Sequence, residues 1–266
     1  MTSEFPDVPT VSDPALATAS RLRIVLVGTQ HPGNMGSAAR AMKTMGLSRL
    51  FLVAPEKIPN AESYALAAGA DDVLGAATIC EALAEAVADC RLVLGSSART
   101  RRAQWEELPP RAAAARPTGE AASGGEVALV FGRERTGLSN DELQLCHAAV
   151  HIPANPDYSS LNLAAAVQVL SYELRLALLA LAPGGDAGDG EPSDPPASHA
   201  QMEGFFAQLA QALDDIDFHK GRTPDSAMRK LRRLYLRAGL DEREVRILRG
   251  ILADTQRMAM LAGQRR

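Results

Sequence analysis

Apolar and polar positions follow two rhythms along this chain. From Leu22 onward, short β-branched apolar runs of strand length alternate with alanine-rich stretches of helical spacing. That is the pattern of an α/β fold whose mainly parallel sheet is covered by helices. It predicts strands at Leu22–Gly28, Arg49–Val53, a short one near Val73, Arg91–Gly95, Glu126–Phe131 and Ala149–Ile152. Helices are expected at about 34–45, 61–69, 80–89 and 139–146, followed by a long one from Leu161 to Leu181. No repeat of 20–50 residues is visible, which argues against a solenoid.

The rhythm breaks at residues 183–200, where eight of 18 positions are Gly or Pro and four are acidic. Such a composition buries too little apolar surface to order itself and reads as a linker. Beyond it only the helical rhythm persists. Phe206, Leu209, Leu213 and Ile216 keep helical spacing, a second helix is expected from Thr223 as N-cap with Pro224 at N1, and a third from Asp241 with Glu244 as a capping-box variant. The reading is a leader over residues 1–20, an α/β body over 21–182, the linker, and a small helical tail over 201–266. The leader, with three prolines, three acidic residues and neither a basic nor an apolar signal region, is expected to be disordered rather than secretory.

Charge changes the picture of the tail. The whole chain of 266 residues carries a net −4, which by itself disfavours a surface coated in basic charge. Residues 1–217 hold 15 Lys and Arg against 27 Asp and Glu, whereas residues 218–266 hold 13 against 5. In the middle tail helix Met228, Leu231 and Tyr235 form an apolar stripe, and Arg229, Lys230, Arg232, Arg233 and Arg237 occupy the other faces. With no acidic neighbour to pair with, these five repel one another, and phosphate contacts are the simpler account than a merely solvated face. Calmodulin-like or membrane-surface binding is the alternative for that helix. No apolar run reaches the ~18 residues that suggest a membrane span. Cys80, Cys90 and Cys146, odd in number and without CxxC spacing, disfavour a disulfide framework or a structural zinc site and point to the reducing cytosol.

Three polar clusters follow predicted strands. The first, from Gly28 through Gly33, Asn34 and Gly36 to Arg40, leads a glycine-rich turn into a helix N-terminus, where free N–H groups favour an anion. Asn34-Met35 stands where a phosphate loop needs Lys-Ser/Thr, and no GxGxxG follows the strand, so neither ATP hydrolysis nor dinucleotide binding is supported. Asn34 also reads simply as an N-cap, whereas Arg40, two turns further on a helix of alanines, is expected toward the same end of the sheet. The second, Gly132-Arg133-Glu134-Arg135-Thr136-Gly137, sits where ligands bind in open α/β sheets, although a solvated turn is its plain alternative. The third runs from Ile152 through Asn155, Asp157, Ser159 and Ser160 to Asn162 at the start of the long helix. A Ser160–His151–Asp157 hydrolase is disfavoured because there is no GxSxG elbow.

Together, HPGNMGSAARAMKTMG at 31–46, LVFGRERTGLSNDEL at 129–143 and IPANPDYSSLNLAAAVQVLSYEL at 152–174 resemble the SPOUT methyltransferases, and within them the TrmJ-type tRNA 2′-O-ribose methyltransferases. The resemblance spans about residues 22–181 and extends to the basic tail. It implies a parallel sheet whose C-terminal part is threaded into a trefoil knot, a homodimer with the active site at the subunit interface, and S-adenosylmethionine as methyl donor without a metal. Carried over by motif, Asn34, Arg40, Glu134, Ser160 and Asn162 would be catalytic. Ser96, Ser97, Ala98, Gly132, Ile152, Ser159, Ser160, Leu161, Asn162 and Leu163 would surround the cofactor. Arg40 with Arg229, Lys230, Arg232, Arg233 and Arg237 would hold tRNA. The implied reaction is methylation of a pyrimidine ribose at position 32 of the anticodon loop. Methylation of ribosomal RNA or another tRNA site, or a non-catalytic RNA-binding module, are the alternatives.

Overall fold

The structure, a computed structural model, describes residues 13–98, 106–181, 194–220 and 223–263. Residues 1–12 of the expected leader and 183–193 of the expected linker lie outside them. A seven-stranded parallel sheet forms the body, from β1 (Leu22–Val27), β2 (Arg49–Val53), β3 (Thr78–Cys80), β4 (Cys90–Ser96), β5 (Glu107–Leu108), β6 (Glu126–Phe131) and β7 (Ala148–Val150). Their order is β3-β2-β1-β6-β4-β7-β5, with β1 and β6 paired in register at the centre. Alternation within β1 divides the core. Leu22, Ile24 and Leu26 face a layer of α1 (Asp13–Ala19), α2 (Pro32–Thr44), α6 (Pro110–Ala122) and α8 (Leu163–Leu179), while Val25 and Val27 face α5 (Leu83–Val87) and α7 (Asn140–Gln144).

Several expectations change. Residues from Asp13, read as disordered leader, form α1, whose Ala15 and Ala19 are buried in the core. The segment at Val73 is helical, α4 (Asp71–Gly75), because Asp71 and Asp72 open a helical turn that buries Val73 and Leu74. The strand comes later, as β3, whose mostly exposed residues give no apolar run. The helix α6 was not expected at all: its buried face is made of Ala113, Ala114, Pro117 and Ala121, without one large apolar side chain.

Where β1 and β6 begin, Arg23 is only 2% exposed and donates to Asp89 and Glu126 at 2.8 Å and to the Ala86 carbonyl at 2.9 Å. Arg49 also pairs with Glu126. A buried cation is tolerated because each acceptor around it is charged or a carbonyl. The opposite edge of the sheet, where the strands end, is thereby left for the polar clusters.

The tail has its own core. Helices α9 (His199–Asp215), α10 (Pro224–Ala238) and α11 (Glu242–Gly263) enclose Met202, Phe205, Phe206, Leu209, Leu236 and Val245. It begins before the expected boundary at 201: the Ala197 N–H donates to the Leu240 carbonyl at 2.9 Å, and α9 opens at His199 under a Ser198–Gln201 capping box. The Ala200 N–H donates to Ala88 of the body at 3.0 Å.

Candidate active site

All three polar clusters meet beyond the C-terminal ends of β1, β4, β6 and β7. A pocket of about 290 Å³ opens there, walled by Ser96, Ser97 and Ala98 after β4, by the 131–138 loop after β6, and by Ile152, Ser159, Ser160, Leu161, Leu163 and Ala166 from β7 to α8. The apolar walls are Phe131, Leu138, Ile152, Leu161 and Leu163, and the hydroxyls of Ser96, Ser159 and Ser160 interrupt them. This mixture suits a small ligand with both apolar and polar parts. The loop closes on itself: a Cβ at Gly132 would lie 2.1 Å from the Gly137 carbonyl carbon and 2.2 Å from the Leu138 nitrogen.

A chain of hydrogen bonds runs beside the pocket. The Glu134 carboxylate accepts the N–H of Gln30 at 3.0 Å, the N–H of His31 at 3.1 Å and Asn34 Nδ2 at 2.9 Å. Asn34 Oδ1 in turn accepts Asn162 Nδ2 at 3.0 Å. Asn162 caps α8, its Oδ1 accepting the Ala164 N–H at 2.9 Å. Partial burial works to raise the Glu134 carboxyl, but the donors from Asn34, Gln30 and His31 outweigh it and hold the group below the usual carboxylate range. Glu134 is therefore an ionised anchor at neutral pH.

This geometry revises the reading of Asn34 as an N-cap. His31 occupies that position without a side-chain cap bond, Pro32 follows it, and the N–H groups of Gln30 and His31 are served by Glu134 instead. Ser160 is exposed at the pocket rim, and His151 Nδ1 lies 3.2 Å from the Ser97 carbonyl. Arg40 stands exposed on α2 outside the pocket wall, six residues and about 9 Å of helix from Asn34. Arg133, Arg135 and Thr136 line the pocket without having been assigned to it from the sequence. Only their place in the glycine-bracketed cluster signalled them. Among the described residues no group of His, Cys, Asp and Glu is arranged to hold a metal ion, and no helix is long and apolar enough to cross a membrane.

On the tail, Arg229, Lys230, Arg233 and Arg237 are exposed along α10. Arg232 is engaged internally: it pairs with Glu203, with one contact at 3.0 Å, and its guanidinium lies 4.4 Å from the Phe206 ring centroid. It stabilises the α9–α10 contact and is turned inward, against Glu203 and Phe206.

A parallel sheet with a polar pocket at its carboxyl edge is the arrangement of a ligand-binding α/β enzyme. The model of the SpoU rRNA Methylase family matches residues 21–172, and the chain belongs to that family. The model described as tRNA methyltransferase TrmJ, C-terminal domain, matches residues 200–264. The chain is 53% identical over 235 residues to the tRNA (cytidine/uridine-2′-O-)-methyltransferase TrmJ of Salmonella typhimurium, covering 88% of this chain and 96% of the relative. It is 47% identical over 251 residues to the tRNA (cytidine/uridine/adenosine-2′-O-)-methyltransferase TrmJ of Pseudomonas aeruginosa, covering 90% and 95%. Among solved structures, TrmJ from Z. mobilis ZM4 superposes with a TM-score of 0.74 at 35% identity, covering 87% of this chain and 97% of the other.

Proposed function

We propose that the protein methylates the 2′-hydroxyl of a pyrimidine ribose in tRNA, at position 32 of the anticodon loop, with S-adenosylmethionine as donor. The observation that carries this reading is the Glu134–Asn34–Asn162 chain, which ties all three clusters to the rim of one pocket. The names of the relatives support the substrate class, and the mixed apolar and hydroxyl lining supports the donor. Ribosomal RNA is the alternative substrate that the family's name suggests.

S-adenosylmethionine supplies a methyl group on a positively charged sulfur. This chain's part is positional and electrostatic. Gly132, Ile152 and Leu161–Leu163 offer backbone groups and apolar walls to hold the donor, with Ser96, Ser97, Ala98, Ser159 and Ser160 at its rim. Asn34, braced by Glu134 and Asn162, offers an amide to the ribose. As the ribose oxygen bonds to the methyl carbon and the carbon–sulfur bond breaks, the hydroxyl proton must leave. A guanidinium is a poor base, and Arg40 is assigned a different part. It binds the neighbouring phosphate and acidifies the hydroxyl, and the proton departs through that phosphate or a water.

Arg40→Lys keeps the charge and loses the planar fork. We expect kcat to fall about 100-fold with S-adenosylhomocysteine binding intact, an effect of about 2.7 kcal/mol. Near-full activity would rule out a role for the fork.

A homodimer completes the reading. The helix α8 leaves Ala165, Tyr172 and Leu176 exposed along one side, with Tyr172 at 50% and Leu16 of the adjacent α1 at 52%. We assign this apolar strip to a second copy of the chain. Light scattering at the mass of one 28.2 kDa chain would oppose it. The insertion of β7 between β4 and β5 supports a threaded, knotted C-terminal half of the body.

The exposed charges of α10 are assigned to tRNA backbone. Replacing Arg229, Lys230 and Arg237 together with glutamine should raise the KM for tRNA at least tenfold. It should also reduce the slope of log affinity against log salt by about 2, since each phosphate contact contributes ~0.7–0.9. An unchanged slope would remove α10 from the interface. Nucleoside mass spectrometry of tRNA and ribosomal RNA incubated with the protein tests the whole reading, and methylation confined to ribosomal RNA would overturn it.

A further inference from the structure

Arg133 occupies the position between the closed turn at Gly132 and the anchor Glu134, and three independent contacts converge on it. Its side chain crosses the end of β1, where Gly28 has φ +59° and a Cβ would lie 2.7 Å from Arg133 Nε and 2.9 Å from its Cγ. Beyond that crossing, Arg133 Nη1 donates to both carboxylate oxygens of Glu142, at 3.0 and 3.1 Å. Glu142 is itself fixed, because it accepts the Ser139 N–H at 2.7 Å in the capping box of α7. The backbone of Arg133 closes a ring with Gly137: the Gly137 N–H donates to the Arg133 carbonyl at 2.8 Å, and the Arg133 N–H to the Gly137 carbonyl at 3.3 Å.

We infer that Arg133 is a positioning residue, a strap between Gly28 and Glu142 that holds the 133–137 ring in place. It keeps the Glu134 carboxylate under the 30–34 loop and fixes one wall of the pocket. The inference rests on the reading of that pocket as the donor site. Its physical basis is the cost of order. Freezing backbone on binding costs conformational entropy, so a ring already locked before the ligand arrives spares that cost. The pairing with Glu142 satisfies much of the guanidinium's charge inside the fold, which argues for a brace rather than a ligand contact.

A double-mutant cycle separates these roles. Wild-type protein is titrated with S-adenosylhomocysteine by calorimetry, followed by Arg133→Ala, Gly28→Ala and the double variant. If the strap operates, each single change weakens binding about tenfold. The double variant then falls well short of additivity, because truncating Arg133 removes the clash at 28 and leaves only the strain of alanine at φ +59°. Arg133→Met should raise the KM for S-adenosylmethionine about tenfold with kcat within threefold, and Arg133→Lys, which can still reach Glu142, should recover most of the loss. Additive effects of Gly28→Ala and Arg133→Ala, with normal wild-type binding, would overturn the strap alone. So would Arg133→Met at wild-type KM. Absence of wild-type binding would overturn the donor-site reading and the strap with it. Loss of binding in the arginine variants with Gly28→Ala unaffected would make Arg133 a direct ligand contact instead.

Discussion

Replacing Gly132 with alanine should weaken S-adenosylhomocysteine binding at least 100-fold, an effect of about 2.7 kcal/mol. The added methyl would have to occupy space 2.1 Å from the carbonyl carbon and 2.5 Å from the carbonyl oxygen of Gly137, and 2.2 Å from the nitrogen of Leu138. These are backbone atoms of the same short loop, so no rotamer change relieves the clash, and overpacking of this kind costs ~1–3 kcal/mol even where neighbours can move. The loop must open, and with it the wall from Phe131 to Leu138 that bounds the pocket. Calorimetry measures the binding, and a far-ultraviolet circular dichroism spectrum like that of the parent separates local opening from failure to fold. Undiminished affinity in a folded variant would show that this wall does not contact the donor.

Acidification should destabilise the protein well before its carboxylates are neutralised. His147 is held on β4 by a reciprocal pair: its N–H donates to the Val93 carbonyl at 2.8 Å, and its Nδ1 accepts the Val93 N–H at 3.1 Å. Burial pushes its pKa down to about 4, with His199 and Arg116 adding repulsion. His199 of α9, on the other side of the body–tail seam, is lowered for the same main reason, burial, against the pull of Glu203. Arg91, Arg116 and Glu120 face the same cleft from the body, and Tyr235 faces it from the tail. A histidine whose folded pKa lies below its unfolded value contributes fully above ~6.5 and loses that contribution progressively as pH falls from there to about 4, the folded value. For His147 the loss amounts to about 3 kcal/mol at most. Urea unfolding between pH 7.5 and 4.5 should show it, and His147→Gln, which keeps an acceptor for Val93, should flatten the slope. Equal slopes for parent and variant would mean that His147 does not titrate with unfolding.

How far the sequence reveals this molecule depends on whether a residue's role is local. The strands β1, β2 and β6 are legible because their apolar runs are the core itself. The helix α6 is not, since alanine and an internal proline bury as well as leucine when a neighbour comes close, and nothing in their order says so. The same divide runs through the site. Asn162 announces itself as a polar residue at a helix start, and it caps α8. The sequence offers no sign that Glu134 serves the N–H groups of Gln30 and His31, because that depends on β1 and β6 lying side by side. Arg232 is the reverse case: one of five similar charges in the sequence, it is set apart only by Phe206 and Glu203, which arrive from another helix.

The links from Glu134 to Gln30 and from Asn162 to Asn34 join residues 104 and 128 positions apart. Contacts of such span form late, after the loops between them have closed and their entropy has been lost. A chain emerging from the ribosome therefore carries no catalytic fragment. The first segment waits for Glu134 and then for Asn162 before its hydrogen bonds can form. Until Asn162 has been made, the hydrogen-bonded chain that braces Asn34 cannot be complete.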